Sequence, residues 1–264
     1  MSKIMMYALG GTGFTFFMTA LGAAVVFFFR GEIKEGFQKV FLGFAAGVMI
    51  AASVWSLLIP AIDQAESMGL VGWMPAAGGF LIGGLFLFLM DQILPHIHAR
   101  TGVQEGIPAR LKRTTMLVFA VTLHNAPEGM SVGLAFALAV QEGIDQGALA
   151  AAVALAVGIG IQNFPEGAAI SLPLRQEGLS RKKAFAMGAM SGAVEPVAGV
   201  AAALLAAEVQ RALPWMLAFA AGAMIYVVAE ELIPEASLNE HSHLGTWGVM
   251  VGFLLMMILD VALG

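Results

Sequence analysis

The chain has 264 residues, 59% of them hydrophobic and 12% charged, where ordinary soluble domains carry about 25% charge. It contains no Cys, which excludes disulfides and thiolate metal sites. The net charge of -5 and the 13 Lys and Arg offer no basic surface for nucleic acid.

A bilayer core takes roughly 20 apolar residues per helix. On that basis eight spans are expected in chain order, at about 5–29, 37–60, 72–95, 114–140, 147–174, 183–207, 213–234 and 245–263. The first is too long for a signal core and has no convincing cleavage site. The third, with "FLIGGLFLFLM", and the eighth, with "VGFLLMMIL", lack the polar face that a soluble bundle helix needs. The expected fold class is therefore all-α, a polytopic membrane protein of eight transmembrane helices forming one domain over 1–264, with a short loop at 97–113.

The loops after the odd-numbered spans hold eleven of the 13 Lys and Arg: Arg30, Lys34, Lys39, Arg100, Arg110, Lys112, Arg113, Arg175, Arg181, Lys182 and Lys183. Lys3 and Arg211 fall on the other side, with Asp63, Glu66, Glu142, Asp145 and Glu208. The positive-inside rule puts the basic loops in the cytoplasm and both termini outside.

Polar residues interrupt three consecutive spans. The fourth carries His124, Asn125 and Glu128 in "LHNAPEGMSVG". The fifth carries Gln162, Asn163 and Glu166 in "GIQNFPEGAAISLP", and the sixth carries Glu195 in "SGAVEPVAG". A carboxylate at a helix centre costs about 2.5–3.5 kcal/mol on insertion scales. No Lys or Arg lies mid-span to pair with these groups, so they either hold protons or are neutralised by a cation.

The spacing bears on that choice. His124 and Glu128 are i, i+4, Asn125 and Glu128 are i, i+3, and all three share a helix face. Gln162, Asn163 and Glu166 repeat the pattern, as x-N-x-P-E-G recurs 38 residues later. Consecutive spans are usually neighbours, so the two faces can meet. Pro127 and Pro165 each remove a backbone donor, and a kinked helix with freed carbonyls at Leu123 and Ile161 is expected. A lone Glu or Asn is as readily interhelical glue as a ligand. Two copies of the motif plus Glu195 argue against glue. Imidazole, amide and carboxylate together suit a divalent transition metal such as zinc, iron, manganese or cadmium, whereas calcium and magnesium seldom recruit His.

At these residues the chain resembles the Zrt/Irt-like (ZIP) divalent metal transporters, especially the prokaryotic branch. The resemblance rests on eight spans with both termini outside, H-N-x-P-E-G in the fourth, "QNFPEG" in the fifth and "VEP" in the sixth. It implies zinc as transported substrate, moved toward the cytoplasm across the inner membrane, with no organic cofactor and with a homodimer as the assembly. It also implies a two-metal site between spans four, five and six. One metal would meet His124, Glu128, Gln162 and Glu166. The other would meet Asn125, Asn163 and Glu195, with Glu128 and Glu166 bridging. Asn163 departs from the family pattern, since some members place Asp there, and the second position should then bind more weakly or be regulatory.

The resemblance extends to a metal exit route at the cytoplasmic ends of spans three and seven, through Asp91, His96, Glu230, Glu231 and Glu235, followed by His241 and His243. The same residues also read as hydrated helix ends. Asp260 reads either as a solvated end or as a resting place for metal near the entrance. Asp63 and Glu66 would attract cations to the outer mouth. Two further classes remain open on sequence grounds. A proton-coupled permease for an organic cation needs an aromatic cage, for which only Phe164 and Phe136 lie near the motifs. A membrane metal hydrolase needs a general base, which Glu195 could supply, but no substrate-handling domain stands outside the spans.

Overall fold

The structure, a computed structural model, describes residues 2–28, 35–93, 96–97, 104–105, 113–140, 144–176, 178–237 and 243–263. Helices α1 (Ser2–Ala23), α2 (Glu35–Ala52), α3 (Ile59–Ser67) and α4 (Trp73–Ile93) make the first three passes. Then come α5 (Arg113–Val140), α6 (Gln146–Gln176), α7 (Arg181–Ser191), α8 (Val194–Glu208), α9 (Leu213–Val227), α10 (Ile233–Ser237) and α11 (Leu244–Leu263). They amount to eight helical passes, because α2–α3, α7–α8 and α9–α10 each make one. Among the described residues seven are long and apolar enough to cross a membrane, and α5, at 28 residues, has the length. The polytopic all-α expectation holds. The short loop 97–113 lies outside the described residues, apart from a two-residue antiparallel ladder pairing His96 with Glu105 and Ile97 with Gln104.

Proline shapes the passes in three ways. Pro60 and Pro234 each follow Leu-Ile, and each is preceded by a π-helical turn, Ser53–Leu58 in one case and Val228–Leu232 in the other. A proline offers no N–H to the carbonyl four residues back, and a wider turn accommodates both ring and carbonyl. The second pass therefore runs on to Ser67 instead of stopping near residue 60 as expected. Pro127 and Pro165 lie within unbroken helices. Pro196 instead accompanies a break: α7 ends at Ser191, α8 begins at Val194, and the Glu195 N–H donates to the Gly192 carbonyl at 3.0 Å. The sixth pass is thus two helices, where one was expected. Lys39, grouped above with the basic loops, is a buried residue of α2.

Two sets of helices pack together. α1 packs on α5, α6 and α8, and α5 packs on α6 and α8, while α2 pairs with α11 and α4 with α9. Lipid gives no hydrophobic drive for these contacts, so close backbone approach between small residues supplies the packing. A Cβ at Gly133 of α5 would collide with the Gly199 carbonyl of α8, one at Gly47 with Val249 of α11, and one at Gly222 with Phe80 of α4. The interior between the two sets is filled by Met49, Leu155, Ile159, Leu217, Met224 and Met256. Leu81, Leu85 and Phe88 of α4 and Leu254 and Ile258 of α11 face outward, as lipid-facing positions do.

Candidate metal centre

The site lies where α5, α6 and the α7–α8 break meet α1. α5 contributes Asn125 and Glu128, α6 contributes Gln162, Asn163 and Glu166, and the first turn of α8 contributes Glu195. Gly129 lets α5 lie against the Glu195 backbone, which a Cβ there would strike. Glycines one residue past the motif carboxylates thus set how near the helices come.

Asn125, Glu128, Gln162, Asn163 and Glu195 are buried, and Glu166 is half-buried. Gln162 Nε2 donates to Glu128 Oε1 at 2.7 Å. Asn163 Nδ2 donates to both Glu195 oxygens, at 3.1 and 3.0 Å. These two couplings tie α5 to α6 through Glu128 and Gln162, and α8 to α6 through Glu195 and Asn163. In each, an amide N–H offsets part of a carboxylate charge.

The remaining oxygens of these groups are not satisfied. Glu128 Oε2, Gln162 Oε1, Asn163 Oδ1 and both amide atoms of Asn125 are buried without a hydrogen-bond partner among the described residues. A buried polar atom left unmade is costly, and four acceptor oxygens so placed in one region form an electron-rich lining suited to a cation. Among the described residues no three His, Cys, Asp or Glu side chains converge into a ready-made cage. The donor set here mixes amides with carboxylates, and the amides occupy part of the carboxylate coordination. His124 belongs to α5, but its side chain lies outside the described residues.

The secondary positions divide. Asp91 is buried at the end of α4, and Glu231 is buried in the π-turn beside the exposed Glu230. His243 is exposed, as are Asp63 and Glu66. The side chains of His96 and Glu235, and all of His241, lie outside the described residues. Asp260 is not a solvated end: it is buried and accepts a 2.6 Å hydrogen bond from Ser56 Oγ in the first π-turn.

Sequence reasoning missed α1. Thr12, Thr15 and Thr19 are fully buried, and Thr19 Oγ1 lies 3.2 Å from Glu195 Oε1. The signal was present, since i, i+3 and i+7 is one helix face, but the stretch "GGTGFTFFMTALGAA" reads first as a small-residue packing surface.

The fold is that of a polytopic helical membrane protein, and buried, partly unsatisfied carboxylates and amides at mid-span mark a functional site. Residues 104–260 match the family described as ZIP Zinc transporter. The chain is 38% identical to Zinc transporter ZIP11 of Homo sapiens, covering 97% of each chain. It is 40% identical to Zinc transporter ZIPB of Bordetella bronchiseptica, over 98% of this chain and 82% of that protein. With Zinc transporter GufA of Myxococcus xanthus it shares 36%, over 93% and 94%. The chain belongs to the ZIP family of zinc transporters. That family transports metal and is not a family of enzymes, so neither the hydrolase nor the organic-cation permease alternative stands.

Proposed function

We propose that the chain carries zinc toward the cytoplasm through a binuclear site inside the membrane, and accepts cadmium, iron or manganese in the same place. One metal is held by His124, Glu128, Gln162 and Glu166. The other is held by Asn125, Asn163 and Glu195, with Glu128 and Glu166 bridging. The observation that carries this reading is the set of buried, unpartnered oxygens on Glu128, Gln162, Asn163 and Asn125. A cation entering there replaces the amide donors on the carboxylates and satisfies the oxygens in one step.

Metal leaves past Asp91, His96, Glu230 and Glu231, and Asp260 is a resting place on the outer side. The whole of residues 1–264 forms one transporting unit in the inner membrane, with both termini outside and two copies per assembly. Support for the orientation comes from the basic loops. The test is zinc flux into proteoliposomes loaded with a zinc indicator. Flux that depends on Glu128 and Glu166, with no second substrate consumed, supports the reading, and flux indifferent to both removes the site.

A further inference from the structure

We infer that Thr19 of α1 competes with the cation for Glu195, and so sets how readily the second metal position fills. This rests on the proposed role of Glu195 as a ligand, and it concerns a helix outside the N-x-P-E-G motifs.

Thr19 has one hydroxyl proton and two acceptors within reach. Its Oγ1 lies 3.2 Å from Glu195 Oε1 and 3.3 Å from the Thr15 carbonyl one turn back. Only the hydrogen needs to move for the bond to change acceptor, by rotation about the Cβ–Oγ1 bond. Asn163 Nδ2, a second donor to Glu195, lies 3.0 Å from Glu195 Oε2 and 3.4 Å from the Thr15 carbonyl, and its two hydrogens can engage both.

The Thr15 carbonyl is therefore within reach of two of the groups that cap Glu195, the third being the Thr15 hydroxyl. When a cation takes the carboxylate, the Thr19 hydroxyl turns to that carbonyl, which has one lone pair to spare beside its α1 backbone bond, and is not stranded as a buried donor. When the cation leaves, the hydroxyl returns and offsets part of the carboxylate charge. Glu195 is fully buried, so no solvent is at hand to do this.

The surroundings hold Thr19 in place for the exchange. A Cβ at Gly167 of α6 would collide with the Thr19 carbonyl. One at Gly192, in the α7–α8 break, would lie 2.9 Å from Thr19 Cβ and 3.0 Å from Glu195 Oε1. Both neighbours are thus glycines, which lets α6 and the α7–α8 break come close to Thr19.

The test is Thr19→Val, which keeps the shape and removes the hydroxyl, beside Thr19→Ser, which keeps the hydroxyl. Zinc binding to purified protein is followed by calorimetry, and zinc flux by proteoliposome assay. Without the competing hydroxyl, the second zinc binds ~3- to 10-fold more tightly in Thr19→Val. The KM falls, and the maximal rate falls with it because release is slower. Thr19→Ser retains wild-type values. Thr19→Ala replaces the valine variant if that protein does not fold, with the same expectation.

Unchanged or weaker second-zinc binding in Thr19→Val overturns the inference, and so does an equal loss in both variants, which marks a packing role. Glu195→Gln separates this from the underlying reading. If that variant loses the second zinc while Thr19→Val matches wild type, only the role of Thr19 fails. If Glu195→Gln binds both zinc ions normally, Glu195 is not a ligand, and both readings fall.

Discussion

Gln162 Nε2 donates to Glu128 Oε1 at 2.7 Å across the α5–α6 contact, while Glu128 Oε2 and Gln162 Oε1 are buried without a partner among the described residues. Each side chain thus has one atom engaged and one unengaged. An amide–carboxylate pair built only to join two helices would gain from satisfying both ends. The half-made arrangement instead leaves acceptors for a cation, at some cost in stability.

Glu128→Ala removes the carboxylate from this pair and strands the Gln162 amide. Zinc flux is expected to fall by about 100-fold or more, beyond the 10–100-fold that loss of an outer-shell partner brings. Glu166→Ala gives the same loss. Expression and the elution profile in detergent stay normal for both. Wild-type flux in either purified variant excludes that residue from the site.

Asn163→Asp acts in two directions. It removes the N–H donated to both Glu195 oxygens and sets a second carboxyl beside a buried one. The metal-free protein becomes less stable, and the second metal binds more tightly because an anion replaces an amide oxygen. A lower Tm without metal, restored by zinc, is the expected pattern. Calorimetry showing unchanged affinity counts against Asn163 as a ligand.

Gly133→Ala addresses the scaffold. A Cβ at this position collides with the Gly199 carbonyl where α5 crosses α8, and backbone cannot yield as a flexible side chain can. Overpacking of this kind costs about 1–3 kcal/mol. The variant should unfold at a lower temperature, and its zinc flux should fall because Glu128 and Glu195 lie on the two displaced helices. A wild-type Tm shows that the crossing has slack.

The passes were legible because apolar length is a strong signal, and the site was legible because x-N-x-P-E-G recurs at one spacing. The grouping of Glu128 with Gln162 and of Glu195 with Asn163 came from the family resemblance, while spacing showed only that the faces of α5 and α6 can meet. What sequence could not give was tertiary. The hydroxyls of Thr15 and Thr19 resemble packing residues until Glu195 is placed beside them. Lys39 looks like a loop charge until α2 buries it. Pro60, Pro127 and Pro196 have the same chemistry, yet they sit at a π-turn, inside an intact helix and beside a break. The surrounding helices decide which outcome each adopts.

The proposed ligands bind protons as well as metal, and the metal form requires carboxylates ionised and imidazole neutral. An imidazole in water titrates near 6.5. Zinc affinity should therefore fall as pH drops from about 7.5 to about 5.5. His124→Gln lowers affinity overall but removes one titrating group, so its slope against pH becomes shallower. Parallel slopes for wild type and variant, measured by zinc titration of the purified proteins, place His124 outside the first metal position.

Ser56 and Asp260 join the second pass to the eighth through a 2.6 Å hydrogen bond, and the other oxygen of Asp260 is buried without a partner among the described residues. Ser56→Ala leaves the whole carboxyl group unsatisfied between α11 and the π-turn. That should cost about 1–3 kcal/mol and lower the Tm in detergent. Asp260→Asn keeps an acceptor for Ser56 but carries no charge, so stability returns toward wild type or rises. The two variants therefore separate a structural bond from a stop on the metal route. If Asp260 only ties the passes together, Asp260→Asn transports zinc as well as wild type. If zinc rests there, the same variant keeps its Tm and its KM for zinc rises several-fold, because the charge that drew the cation is gone. Zinc flux across a concentration series, run beside the thermal melt, distinguishes the two, and an unchanged KM removes Asp260 from the route.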